Sequence, residues 1–217
     1  MSTTTAAAPT PKNPPPSTSH PEPTPSPPFT LTSPPAKDIW RKPPTTNKFD
    51  APLSAPHRGP LRSFHRAALT IALPPPAALA TYDQGTLLLA ITRPGAALRD
   101  AGPAARWVKT GVEMWRGRPW LSTVACEQWA DASLVPLGGG PAARVEVERG
   151  EGGGGLWVWL CGEGGTRAPL REVCWFFAEE EDGEWEVSVA ACAARPLGSE
   201  GGEGLAVGFE GLEVEWR

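Results

Sequence analysis

From Phe64 onward, short apolar runs alternate with clusters of Gly, Pro and charged residues. The runs cover residues 63–73, 85–91, 105–115, 120–126, 133–137, 143–149, 155–161, 170–178, 184–192 and 204–216. Several repeat with a period of two, as at Val145 and Val147 or Trp157 and Trp159. Side chains on a strand point alternately to its two faces, so this spacing predicts half-buried β-strands. The intervening segments RGRP, LGGGP, RGEGGGG, GEGGT and RPLGSEGGE carry turn chemistry. Residues 179–184 read as a hairpin tip, with Asp182-Gly183 as its turn. No stretch is long and periodic enough for a substantial helix. The pattern predicts an all-β sandwich or barrel.

One run carries a concentrated polar face. Along RWVKTGVEMW, one side holds Trp107, Lys109, Gly111, Glu113 and Trp115; the other holds Arg106, Val108, Thr110, Val112 and Met114. The second side is mostly apolar and belongs against a core. The first places an amine and a carboxylate between two indoles. Aromatic faces stack on the C–H surfaces of a sugar while charged groups hydrogen-bond its hydroxyls, so the mixture suits a sugar-like ligand. The alternative is a solvated cross-pleat pair on an exposed sheet face, worth under about 1 kcal/mol. Lys109 is the only lysine after Lys48 in a chain whose later basic residues are otherwise arginine. That choice points to a compact, titratable ammonium rather than a planar fork. Tyr82, the single tyrosine, lies in the neighbouring run.

Composition narrows the classes. The 217 residues suffice for one sizeable domain. A formal net charge of -4, with no basic stripe, argues against nucleic-acid binding. Residues 1–28 are dominated by Thr, Ser, Ala and Pro, which cannot bury enough apolar area to offset ordering entropy. They are expected to form a disordered tail ahead of a domain at 29–217. The amino terminus lacks the apolar run of a signal peptide, and the longest apolar stretch, ALTIALPPPAALA, is interrupted by prolines. A cytoplasmic location, or a cytoplasmic and nuclear one, is expected, with no membrane partner.

The cysteines, Cys126, Cys161, Cys174 and Cys192, show no zinc spacing and are expected as buried free thiols. No metal and no cofactor are expected. Glu146 and Glu148 alternate beside Arg144; spacing of this kind builds the carboxylate pairs of sandwich glucanases, but a solvated outer face is the stronger reading. Glu213 and Glu215 read as the exposed side of the last strand. The acidic run at 179–182 reads as a solvated tip, with a hard cation as its alternative.

Several motifs occur in order: Lys37-Asp38-Ile39-Trp40-Arg41-Lys42-Pro43, Phe49-Asp50-Ala51-Pro52, Ser63-Phe64-His65-Arg66-Ala67, Tyr82-Asp83-Gln84-Gly85, Trp107-Val108-Lys109-Thr110-Gly111-Val112-Glu113 and Leu121-Ser122-Thr123-Val124. Together they resemble the uncharacterised domain family that includes the fungal "regulation of enolase" protein, within the concanavalin A-like lectin/glucanase superfamily. The resemblance covers the chain from about Phe29 to the end. It implies a jelly-roll sandwich of two antiparallel sheets, with the YDQ and WVKTGVE motifs on adjacent strands of a concave face. It makes Tyr82, Asp83, Gln84, Lys109 and Glu113 candidate pocket residues, with Trp40 and Trp107 as walls. The family usually has Asp-Trp-Ser where this chain has Asp131-Ala132-Ser133; Trp129 is a candidate replacement for the missing indole.

Three functions remain open, in this order. The first is a binding module for a carbohydrate or sugar-phosphate-like metabolite. The second is a regulatory interaction protein of central carbon metabolism, with a metabolic protein as partner. The third is a glycoside hydrolase or lyase in which Asp83 and Glu113 form the acid–base pair and Lys109 tunes them.

Overall fold

The computed structural model describes residues 25–178 and 183–217. The strands are β1 (Phe29–Ser33), β2 (Ile39–Lys42), β3 (Thr46–Phe49), β4 (His57–Pro60), β5 (Phe64–Ala72), β6 (Gln84–Thr92), β7 (Arg106–Trp115), β8 (Arg118–Cys126), β9 (Ala130–Pro136), β10 (Ala142–Arg149), β11 (Leu156–Cys161), β12 (Arg167–Val173), β13 (Glu186–Ala194) and β14 (Leu205–Trp216). One six-stranded sheet runs β1-β14-β5-β10-β11-β12, and a second runs β4-β13-β6-β7-β8-β9. A separate hairpin pairs β2 with β3. Every ladder between these strands is antiparallel. The protein is therefore an all-β sandwich of two antiparallel sheets.

Alternation places the core between them. Leu87, Leu89 and Ile91 of β6 and Val108, Val112 and Met114 of β7 face inward and meet residues of β5 and β10, among them Ile71 and Val145. Burying each such aliphatic side chain contributes roughly 1.5–3 kcal/mol. Thr110 and Thr123 share that interior, and their hydroxyls satisfy each other at 2.9 Å. The opposite face of the second sheet is also covered over part of its width. There Leu88, Trp107, Val124 and Cys192 pack under Ile39 and Phe49 of the β2–β3 hairpin. A strand buried on both faces reads as a continuous apolar run, which is why β6 carries Leu87-Leu88-Leu89-Ala90-Ile91 rather than a clean alternation.

The link between β7 and β8 is a two-residue hairpin. Arg116 and Gly117 have φ of 49° and 75°, and Trp115 pairs with Arg118. Positive φ at both positions is the type I′ pattern that matches strand twist. Gly111 of β7 is required by close approach. A Cβ there would collide with the Gly85 carbonyl oxygen of β6 and crowd Ile71.

Four expectations change. The run at 170–178 is not one strand: β12 ends at Val173, and the chain then turns so that Phe176 and Phe177 enter the core. The outer face of the first sheet is not simply solvated. Glu146 is 4 % exposed and is held by Arg66 and Arg167. Burial works against its charge, but those two guanidinium groups outweigh it and keep the carboxyl below its usual range. Glu213 likewise pairs with Arg66 and Arg144, and Glu215 is half-buried. The thiols are free, but only Cys126 and Cys192 are buried; Cys161 is half-buried and Cys174 exposed. Ser26, inside the segment read as tail, is already bonded to β14, where the Leu212 amide donates to its hydroxyl at 3.0 Å. Residues 179–182, read as the hairpin tip, lie outside the described residues.

Among the described residues, no helix is long and apolar enough to cross a membrane. Among them too, no group of three or more His, Cys, Asp or Glu is placed to hold a metal ion.

Candidate functional site

The hairpin covers only part of the second sheet. Where it stops, the same sheet face forms the floor of a cleft of about 460 Å³, lined by Gln84, Lys109, Glu113, Val124, Ala132 and Leu134, among others. Strand register explains the grouping. Glu113 is paired with Gln84 on one side, Lys109 with Val124 on the other, and Val124 with Ala132. These residues fall in cross-strand rows on one face, as alternation requires. Trp40, Tyr82 and Trp115 supply aromatic surface, and Leu197 closes one rim.

Lys109 sits deep, at 2 % exposure. Its ammonium donates to the Gln84 side-chain oxygen at 2.8 Å and pairs with Asp38 at 3.4 Å. It also lies 5.8 Å from the centre of the Trp107 ring. These contacts offset the cost of burying a charge, which an unpaired ammonium could not sustain. The reading of Lys109 and Glu113 as a solvated surface pair fails on that burial.

Asp38 is an addition to the residues expected here. It is fixed from outside the sheet: its carboxylate accepts from the Ile39 amide at 2.8 Å, and its own amide donates to Asp50 at 3.0 Å. The Lys37-to-Pro43 motif had contributed only Trp40; the acid two positions earlier is the group that reaches the ammonium. Burial pushes the Glu113 carboxyl up. The Ser122 hydroxyl and the Lys109 charge partly offset that rise, and the charge on Asp38 adds to it.

The YDQ motif divides. Tyr82 and Gln84 line the cleft, whereas Asp83 between them does not; Tyr82 lies in the turn before β6, so its left-handed backbone and not strand alternation aims its ring there. Asp83 is 0 % exposed, and its carboxylate accepts from Arg195 Nε at 3.0 Å, from Arg195 Nη2 at 2.6 Å and from the Ala80 amide at 2.8 Å. That pairing holds the Arg195 guanidinium above its usual range. Asp83 is thus a structural anchor and is withdrawn from the pocket set. Tyr82 is held at a φ of 71°, a left-handed backbone that costs a non-glycine residue on the order of 1–3 kcal/mol. Its amide donates to Met114 at 2.7 Å, and its ring lies 5.3 Å from that of Trp115.

Two further corrections concern the walls. Trp107 is 1 % exposed and belongs to the apolar cluster under the hairpin, so it packs beside Lys109 on the same face of β7 and forms no wall. Trp129 is 40 % exposed and does not line the cleft, so it does not replace the indole absent at Ala132. Lys42 lines the mouth and is exposed.

The arrangement offers a paired ammonium, two carboxyls and one amide on the floor of an aromatic-walled cleft. It can hold a polar, partly apolar small molecule by stacking and hydrogen bonding. Asp83 and Glu113 cannot act on one substrate, because only Glu113 faces the cleft.

Comparison with known proteins places this geometry in context. An uncharacterised protein of Emericella nidulans is 40 % identical over 188 residues, covering 86 % of each chain. A solved structure of a functionally unknown protein from Saccharomyces cerevisiae superposes with a TM-score of 0.58 at 18 % identity, covering 88 % of this chain and 86 % of that one. An alginate lyase, Aly36B, solved with an alginate trisaccharide, reaches a TM-score of 0.45 at 10 % identity over 87 % of this chain and 81 % of its own. The family described as "Protein of unknown function (DUF1349)" matches residues 13–216, and the chain belongs to that family.

Proposed function

We propose that the protein is a binding module whose cleft takes a carbohydrate or a sugar-phosphate-like metabolite. The observation that carries the reading is Lys109, a buried and hydrogen-bonded ammonium at the floor of a cleft with three aromatic side chains in its lining. The cleft's volume falls within the range of about 300–1,000 Å³ common to small-molecule sites. Kinship with concanavalin A-like lectins and glucanases, implied by the sequence motifs, is part of the same proposal. A non-catalytic role is favoured because the acid–base pair that a hydrolase or lyase reading relied on does not face one substrate.

The test is a thermal-shift screen of wild type, Lys109→Ala and Glu113→Gln against hexoses, disaccharides and hexose phosphates. A ligand present at 100 times its Kd contributes about 2.7 kcal/mol to stability. For a domain of this size that corresponds to roughly 5–11 °C in Tm. The shift is expected in wild type and absent in Lys109→Ala. A wild type that responds to none of these compounds overturns the reading.

A further inference from the structure

The charged groups of the cleft are unequally placed. At the floor, one ammonium faces two carboxyl groups, Asp38 and Glu113. The second cation, Lys42, is exposed at the mouth, where water and salt screen it. An ammonium has three N–H donors. Gln84 and Asp38 accept from Lys109 at 2.8 and 3.4 Å, so its charge is already matched within the protein.

A phosphate or carboxylate entering the floor would compete with Asp38 for Lys109 and would lie beside Glu113. A neutral hydroxyl meets neither difficulty, because it donates to the carboxylates and accepts from the ammonium. Resting on the reading of the cleft as a sugar site, we infer that its ligand is an uncharged sugar, and that phosphorylated and uronate analogues are rejected.

Isothermal titration at pH 7 and low salt tests this with glucose, galactose and mannose, their 6-phosphates and the corresponding uronates. At least one neutral hexose is expected to bind wild type at least tenfold more tightly than its 6-phosphate and its uronate. In Asp38→Asn, Lys109 loses its counter-charge, and the gap is expected to narrow tenfold or more. Asp38 also anchors the start of β2. Glu113→Gln therefore serves as a second variant that removes a floor carboxylate without touching that anchor, and the gap is expected to narrow in it as well. Binding of the anionic sugars as tightly as the neutral ones, or more tightly, overturns this inference and leaves the sugar site intact. A gap unchanged in both variants overturns it too, since the floor carboxylates would then not be its cause. Failure of every compound to bind removes the sugar site and the inference together.

Discussion

Substitution of Asp83 by alanine separates a structural role from a functional one. The wild-type carboxylate is fully buried and bonds Arg195 through two nitrogens, at 3.0 and 2.6 Å, as well as the Ala80 amide at 2.8 Å. After substitution, the Arg195 guanidinium keeps two backbone acceptors, Glu203 at 2.8 Å and Ala78 at 3.3 Å, and the charge of Glu203 acting from a distance. The Arg195 side chain is 13 % exposed, so water replaces little of the loss. Removing one member of a buried ion pair costs about 3–5 kcal/mol, because the other charge is left uncompensated. A domain of this size loses roughly 2–4 °C of Tm per kcal/mol, so a fall of roughly 6–20 °C is expected. Urea unfolding, read as a lower midpoint with an unchanged m-value, measures it. The double variant Asp83→Leu with Arg195→Met removes both charges and should recover a large part of the loss, since an apolar pair of similar volume is often neutral in such a position. A single-variant cost below about 1 kcal/mol, typical of exposed pairs, would refute the reasoning. So would a variant of unchanged stability that had lost sugar binding, because the carboxylate would then reach the cleft.

Three further outcomes follow from the charged and thiol groups. Glu146 has a depressed carboxyl; its stabilisation is complete above the unfolded value of about 4.3 and is lost as pH falls through the lower folded value. Denaturant midpoints of wild type should drop across that acid window, and those of Glu146→Gln should drop less; parallel profiles would count against the Arg66–Glu146–Arg167 cluster. Glu113 is shifted upward, so stability declines as pH rises from its unfolded value to its folded one, and Glu113→Gln should be more stable than wild type at pH 8 while binding sugar less well. Greater stability of wild type at pH 8 would contradict the burial of this group. Cys174 is exposed, whereas burial pushes Cys192 up to about 12; a thiol reagent should label Cys174 quickly in the native protein and reach Cys192 only on unfolding, as peptide mapping would show.

The limits of sequence reading are visible strand by strand. Most of the strands from β5 to β14 were legible as runs, through the spacing of Val, Leu and Trp on half-buried strands or, in β6, through a continuous apolar stretch; the bounds of β12 were not, because its run continues into Phe176 and Phe177, which enter the core after the strand has ended. The strands β1 to β4 were not, since they are short and flanked by proline, and β4 is mostly exposed. Alternation also says nothing of Tyr82 and Asp83, because β6 starts only at Gln84 and Tyr82 sits in a left-handed turn ahead of it.

By itself, then, the sequence determined the class of fold and the inner and outer faces of β7, each of which depends on local alternation. The gathering of Gln84 with Lys109 and Glu113 on neighbouring strands came from the resemblance of the ordered motifs to a known family. Tertiary structure alone decided which acid Lys109 meets and which base Asp83 meets. Those partners, Asp38 and Arg195, are 71 and 112 positions away along the chain. It also decided that Trp107 is roofed by the β2–β3 hairpin while Glu113 is left facing the cleft. The physical reason is that a strand's pattern specifies which residues share a side, whereas the element laid across that side comes from elsewhere in the chain.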